Sequence, residues 1–350
     1  MKSFENSYLT RMSISHGLVK TIRLIGEARG KGDLYKSQSP QTLKVLRESA
    51  VIQSTASSNR IEGVVIPDAK RLRDLVERKT QPVNRSEQEI AGYRDVLGLI
   101  HAAHQDIPLT PNIILQLHRD LFKYTATPGG NWKGSDNSIT EVDPDGTERL
   151  RFQPVAAWQT PAAMASLQSL YEQSLQEPNP VEPLLSIPAY VLDFLCIHPF
   201  LDGNGRMARL LSLLLLYKAG YGVGQYIGLE RIVEDTKDTY YDALYKSSQG
   251  WHEGQHDLRP WTEYFLGVLL LTAYREFEAR VGQKESAKGA KGGMILDAIA
   301  RLPPRFLISD VQALCPTVGV DYIRKVLRSE REAGRLQNDG RGPLAAWLKV

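Results

Sequence analysis

The 350 residues contain only two cysteines, Cys196 and Cys315, far apart in the chain. That is too few for a disulfide framework or an all-cysteine metal site, and it fits a reducing, cytoplasmic compartment. Long apolar runs are missing as well. The richest, Leu210 to Tyr217, is too short to cross a bilayer, and the opening MKSFENSYLT lacks the apolar core of a secretion signal. Neither secretion nor membrane insertion is expected. Nor does one sign of charge dominate: 43 Lys and Arg stand against 40 Asp and Glu, for a net charge of +3. Bulk electrostatics alone therefore gives no reason to expect a nucleic-acid partner. The rest, 42% hydrophobic and 24% charged, is the composition of a soluble, ordered chain long enough for one large core and a smaller module.

The fold class expected is mainly α. From about Gln41 to Arg280 apolar residues recur at three and four spacing, behind start signals such as Thr110-Pro111 and Thr160-Pro161. In these pairs the hydroxyl can accept from an orphan N–H, and proline occupies the first helical position, where its missing donor costs nothing. Thr127 to Val155 interrupts the helical pattern with Gly129-Gly130, the turn signal Asp143-Pro144-Asp145-Gly146 and an alternating Leu150-Arg151-Phe152, which reads as a β-hairpin. Residues 282–293, GQKESAKGAKGG, have the composition of a flexible linker. After them, 294–350 reads helix, turn, helix, turn, longer helix and a glycine-turned hairpin, the order of a winged helix-turn-helix. From Ala290 onward ten basic residues face six acidic ones, so this end carries +4 and the remainder about −1. Arg324, Lys325, Arg328 and Arg331 cluster on its third helix, where a recognition helix would meet phosphates and base edges. A solvated face in a protein-docking module is an equally weighted alternative.

The sharpest motif is H-P-F-L-D-G-N-G-R-M-A-R, His198 to Arg209, set between the apolar segments IPAYVLDFLCI and LLSLLLLY. A leucine-rich helix apolar on nearly every side is buried, so the amides at its N-terminal end need partners, and an anion is the natural one. Gly203 and Gly205 let the backbone curl around a phosphate, while Arg206 and Arg209 supply charge and forked donors. The reading is a polyphosphate cradle. Asp202 beside it could hold Mg²⁺ between two phosphates, and His198 is the nearby base.

At every defining position this motif resembles the signature of the Fic (Fic/Doc) family, H-x-F-x-[DE]-G-N-G-R-x-x-R. The resemblance implies a helical Fic core and an enzyme that moves AMP from ATP to a serine, threonine or tyrosine hydroxyl of a protein, releasing pyrophosphate. It implies His198 as general base, Asp202 as the Mg²⁺ ligand, and Gly203, Asn204 and Gly205 as the anion hole. Arg206 would bind the β and γ phosphates, Arg209 the γ phosphate, and Phe200 would fix the loop from the core. The hairpin over about 127–155 takes the place of the family's flap, which aligns the target by strand addition, with Trp132, Lys133 and Ile139 as candidate lining. Tyr240 and Tyr241 match in spacing the family's tyrosines near the nucleoside, against the plain alternative of core packing.

Upstream, Ser58-x-x-x-Glu62-Gly63 fits the family's inhibitory motif [ST]-x-x-x-[EQ]-[GN]. Alone it is an ordinary helix end capped by glycine. Beside the cradle motif it implies a helix over about 41–63 whose Glu62 pairs with Arg209 in the place of the γ phosphate. The expected organisation is an N-terminal region 1–105, a catalytic core 106–281, a linker 282–293 and a winged-helix domain 294–350. The expected partners are ATP, Mg²⁺ and a target protein, the chain itself included, with duplex DNA a candidate for the C-terminal domain and a homodimer left open. Three alternatives stand: a DNA-binding regulator with a Fic core, transfer of another nucleoside monophosphate, and removal of AMP assisted by Glu62. A toxin with a separate antitoxin is disfavoured, because the chain carries its own brake.

Overall fold

The computed structural model describes the chain except residues 39, 143–145, 177, 179, 282–286 and 341–344. The molecule is mainly helical, as expected. The helices that matter for the site are α1 (His16–Gln38), α2 (Pro40–Ile61), α3 (Arg85–Ala103), α4 (Pro111–Leu121), α5 (Thr160–Ser174), α6 (Pro183–Ile197), α7 (Asn204–Lys218), α8 (Leu229–Asp235), α9 (Lys237–Ser248) and α10 (Leu271–Val281). The main core centres on α6 and α7. Nearly every side chain of both is buried, including the run Leu213 to Leu216, which is why their sequences show no polar stripe. The six residues His198 to Gly203 join the end of α6 to the start of α7, so the motif sits where two buried helices meet.

Local rules explain most boundaries. Thr110 caps α4 by accepting from the amide of Ile113, with Pro111 at the first position. Thr160 does not repeat this. Its hydroxyl donates to the carbonyl of Ala156 at 3.2 Å, because a short helical turn at Ala157–Gln159 runs straight into α5 and leaves no extended cap residue. Helix α1 lies before the stretch expected to be helical. It carries four glycines, each unfavourable in a helix by about 1 kcal/mol relative to alanine. Burial of Leu18 and Ile25 in the main core overrides that propensity.

The hairpin expected over 127–155 is shorter. Strands β1 (Ile139–Val142) and β2 (Glu148–Phe152) pair antiparallel with an irregularity between Ile139 and Thr140, and the proposed turn residues 143–145 lie outside the described residues. Residues 127–138 form no strand because they are pressed on α4 and the motif loop. A Cβ on Gly129 would stand 2.5 Å from the His118 carbonyl, and the amide of Lys133 donates to the Pro199 carbonyl at 2.9 Å.

The linker expectation also changes. Residues 282–286 lie outside the described residues, but α11 begins at Ala287 and runs to Arg301, so 287–293 are helical rather than a free tether. Beyond it come β3 (Arg305–Phe306), α12 (Ile308–Leu314), α13 (Val320–Glu332), β4 (Leu336–Asp339) and β5 (Ala346–Lys349), with sheet order β3-β5-β4, all antiparallel. This module has its own core around Ile295, Phe306, Val311, Ile323, Leu327 and Trp347, and Val45 of α2 joins it. Gln53 of α2 donates to the Leu314 carbonyl at 3.0 Å. Helix α2 is thus packed into both cores. Among the described residues no helix is long and apolar enough to cross a membrane.

Candidate active site

The motif loop is built on local bonds. Asn204 staples it, its Oδ1 accepting from the Phe200 amide at 2.9 Å and its Nδ2 donating to the Phe200 carbonyl at 2.7 Å. The Phe200 ring is fully buried and stacks on His118 with centroids 3.6 Å apart. His118 accepts the Gly130 amide at Nδ1 and donates from Nε2 to the Asp202 carbonyl. Asn137 bonds the His198 and Phe200 carbonyls, and the Lys133 ammonium donates to the Ile197 carbonyl and to Asn137. Burial moves Lys133 down to about 8. Trp132 stacks on Phe200. Trp132 and Lys133 therefore brace the loop from behind and do not line the flap, whereas Ile139 faces the cavity.

A cavity of about 500 Å³ opens over this loop, lined by His198, Asp202, Gly203, Asn204, Gly205, Arg209, Tyr240, Tyr241 and Glu62, among others. Its size suits a nucleotide. His198 ends α6 in the left-handed region (φ 51°), and its Nδ1 donates to the Leu195 carbonyl at 3.2 Å, which leaves Nε2 as the basic nitrogen. Burial pushes its pKa down to about 4, and nearby Lys133 adds to this against the opposing pull of the Leu195 carbonyl and Glu62. The ring is neutral at physiological pH and able to take a proton.

The first turn of α7 forms the cradle. Gly203 has φ 82° and no side chain caps the helix, so the leading amides are left for a ligand. Arg209 is buried, and its Nη1 has no hydrogen-bond partner among the described residues. Its other donors are taken by α2: Nε bonds the Ser58 hydroxyl at 2.8 Å, and Nη2 bonds the Ser58 carbonyl at 3.0 Å and Glu62 Oε1 at 2.7 Å. Burial opposes the Arg209 charge, but Glu62 beside it more than offsets this and its pKa is raised. A Cβ on Gly205 would lie 2.4 Å from Glu62 Oε1, so a side chain there would push the Glu62 carboxylate aside. The Glu62 carboxylate thus rests on the cradle floor.

Arg206 is the exception among the motif residues. It is 2% exposed, outside the cavity lining, and pairs with Glu89 of α3 at 2.6 Å and with Asp202 at 3.3 Å, with Phe122 against its guanidinium. A direct β/γ-phosphate role does not follow from this position; Arg206 ties α7 to α3 and holds the Asp202 carboxylate. Asp202 itself is exposed on the cavity wall, with Oδ1 accepting from Gly203 and Arg206. No group of three or more metal-ligating side chains occurs among the described residues. The donor set therefore fits Mg²⁺ carried in with a polyphosphate, one carboxylate supplementing phosphate and water oxygens, and not a protein-only metal site.

Tyr240 is buried against Trp261, Tyr264 and Tyr241 while still reaching the cavity, so packing and lining are both its work. Glu89, His118, Asn137 and Lys237 escaped the sequence reading. Glu89, His118 and Asn137 reach the motif through partners at least 61 residues away along the chain; Lys237 stands three residues before Tyr240 on α9, the helix that carries the matched tyrosines.

Residues 108–216 match the family model described as Fic/DOC family. The chain is 26% identical over 280 residues to the protein adenylyltransferase Fic of Culex quinquefasciatus, covering 72% of this chain and 50% of that protein. It is 27% identical over 232 residues to the protein of the same name from Drosophila grimshawi, with coverage of 63% and 42%. The chain therefore spans half or less of the length of these curated relatives. A Fic family protein from Desulfovibrio desulfuricans G20 superposes with a TM-score of 0.61 at 20% identity over 97% of both chains. A Fic domain containing signaling protein from Bacteroides thetaiotaomicron gives a TM-score of 0.61 at 22% identity, over 75% of this chain and 98% of that one. Helical core, strand pair and cradle together define a Fic-fold protein. Residues 108–216, which span the motif, are thus similar to the Fic/DOC family domain.

Proposed function

We propose that the chain is a Mg²⁺-dependent protein adenylyltransferase, restrained in cis by Glu62. The observation that carries this is the Glu62–Arg209 pair at 2.7 Å on the floor of a cavity that also holds His198 and Asp202. A carboxylate on a cradle of amides and guanidinium occupies the charge and space of a terminal phosphate. With Glu62 withdrawn, ATP would seat its γ phosphate on Arg209 and the α7 amides. The target hydroxyl oxygen then attacks the α phosphorus and forms a new P–O bond. The bond from that phosphorus to the α,β-bridging oxygen breaks, pyrophosphate departs with the electron pair, and His198 Nε2 takes the hydroxyl proton. Mg²⁺ at Asp202 would neutralise charge on the departing phosphates. Strand β1, whose Ile139, Thr140 and Glu141 line the cavity, offers an edge for the target backbone.

The decisive experiment is labelling of the purified protein with α-labelled ATP and Mg²⁺. Glu62→Gly should increase incorporation and His198→Ala should abolish it in either background; equal labelling in all variants would end the proposal. Mass spectrometry should find an added AMP on a serine, threonine or tyrosine, and another mass would redirect the nucleotide assignment.

A second reading concerns the C-terminal module. Helix α13 presents Arg324, Lys325, Arg328 and Arg331 on its exposed side, and of these only Arg324 has an ion-pair partner among the described residues, Asp321 at 3.1 Å. The module contacts the main body through α11, Leu314 and Val318, and α13 packs chiefly on α11, α12 and β4. That face suits the phosphates of duplex DNA. Binding of the full chain to duplex DNA should weaken steeply between low and physiological salt, and binding independent of salt, or none, rejects it.

A further inference from the structure

A helix leaves its last four carbonyls without intrahelical partners, and each needs another donor. At the end of α2 all four can be followed. The Ser58 carbonyl accepts from Arg209. The Asn59 carbonyl accepts from the amides of Glu62 and Val64, and the Arg60 carbonyl from Gly63, which turns the chain with φ 80°. The Ile61 carbonyl accepts the Lys237 ammonium at 3.1 Å. Two of the four carbonyls are therefore answered by side chains, and both side chains line the cavity. Arg209 comes from the motif, and Lys237 from the first residue of α9, where its ammonium also lies 5.9 Å from the Tyr241 ring.

The turn has a further outside support. Arg60 makes a bidentate pair with Glu234 of α8, at 2.6 and 2.7 Å, and its Nη2 also reaches the Ser57 hydroxyl. This pair lies on the rim, with the Arg60 side chain 38% exposed, so solvent weakens it. Lys237 instead grips the residue immediately before Glu62, at the negative end of the α2 dipole, where a cation is favoured.

We propose that Lys237 is a positioning residue of the inhibitory turn, a second cation that holds Glu62 on Arg209 by capping the Ile61 carbonyl. The proposal rests on Glu62 being inhibitory. The inhibitory end of α2 then engages the cavity's cations at two points, through a carboxylate at Arg209 and a helix-end carbonyl at Lys237. Loosening either point frees the turn. A hydrogen bond from a charged donor is strong enough to move the closed-to-open balance by about tenfold.

The test is a cycle in the full chain with Lys237→Met, Glu62→Gly and both together, read as the initial rate of AMP incorporation from ATP and the KM for ATP. Lys237→Met alone should raise the rate by about tenfold or somewhat less. In the Glu62→Gly background the same change should no longer raise the rate, because the turn it loosens no longer restrains the site. Lys237→Arg, which keeps a cationic donor, should restore restraint. A fall in rate or a rise in KM in both backgrounds would make Lys237 a nucleotide contact and overturn the proposal. No rise for Lys237→Met while Glu62→Gly activates would also overturn it. If Glu62→Gly itself does not activate, the inhibitory reading fails and this one with it.

Discussion

His198 holds a backbone conformation that few side chains with a Cβ adopt, φ 51°, at the point where α6 ends. Such strain persists where the surroundings fix it, and here Asn137, Lys133 and the Asn204 staple fix the carbonyls on either side. The same burial that enforces the geometry lowers the imidazole pKa to about 4. A histidine used as a base is active when neutral, so lowering its pKa extends activity toward acid. The expected kcat/KM profile of the Glu62→Gly variant rises through pH about 4 and is level from pH 6 to 8. An acid limb near 6.5 would mean a solvated imidazole and would contradict the site's geometry. At this scale much was legible in the sequence: the spacing of His198, Asp202, Gly203, Gly205 and Arg209, and the pairing of Ser58 and Glu62 with them, are found in one place. Arg206 and Lys133 differ from the sequence expectation for a shared reason. A motif gives residue types in order, but whether a cation faces the cavity or its back depends on partners such as Glu89 and the Ile197 carbonyl, which no local pattern announces.

Among the elements, those with strong periodicity or caps were readable and those shaped by tertiary packing were not. Helices α6 and α7 announce themselves as buried because they have no polar face. Helix α4 announces its start through Thr110-Pro111. Helix α1 lies outside the stretch expected to be helical, and its glycines lower its intrinsic propensity; a Cβ on Gly32 would make only ordinary contact with Phe277 of α10, at 3.5 Å. The glycine-bearing stretch 287–293 read as linker for the same reason and is the start of α11. The strand pair was placed correctly but drawn too long, because Gly129 and Gly130 serve close approach to α4 rather than a hairpin turn. In α1 and α11 the glycines sit within a continuing helix, and Gly129 and Gly130 let the chain approach α4 closely.

Burial across the whole molecule keeps four histidines uncharged at neutral pH. His101, His118, His198 and His256 are all pushed down to about 4 by burial. In the unfolded chain they titrate near 6.5, so the unfolded state binds more protons between these values and stability falls as pH drops from about 6.5 toward 4. Asp193 acts the other way. Burial raises it to about 6 despite bonds from Ser3 and Trp251, so it is protonated in the fold before it is in the unfolded chain. Four groups against one leave a net uptake of about three protons on unfolding near pH 5. Urea midpoints should therefore drop steeply between pH 6.5 and 4.5, with the m-value unchanged. A flat midpoint over that range would show that these histidines are solvated.

Helix α2, whose end carries Ser58 and Glu62, precedes Arg209 by well over a hundred residues in the chain. Synthesis runs from the N-terminus, and the segments made first are available to fold first. On the proposed reading, the restraint leaves the ribosome before the cradle it closes. A growing chain therefore never exposes a finished phosphate cradle in advance of its own inhibitor.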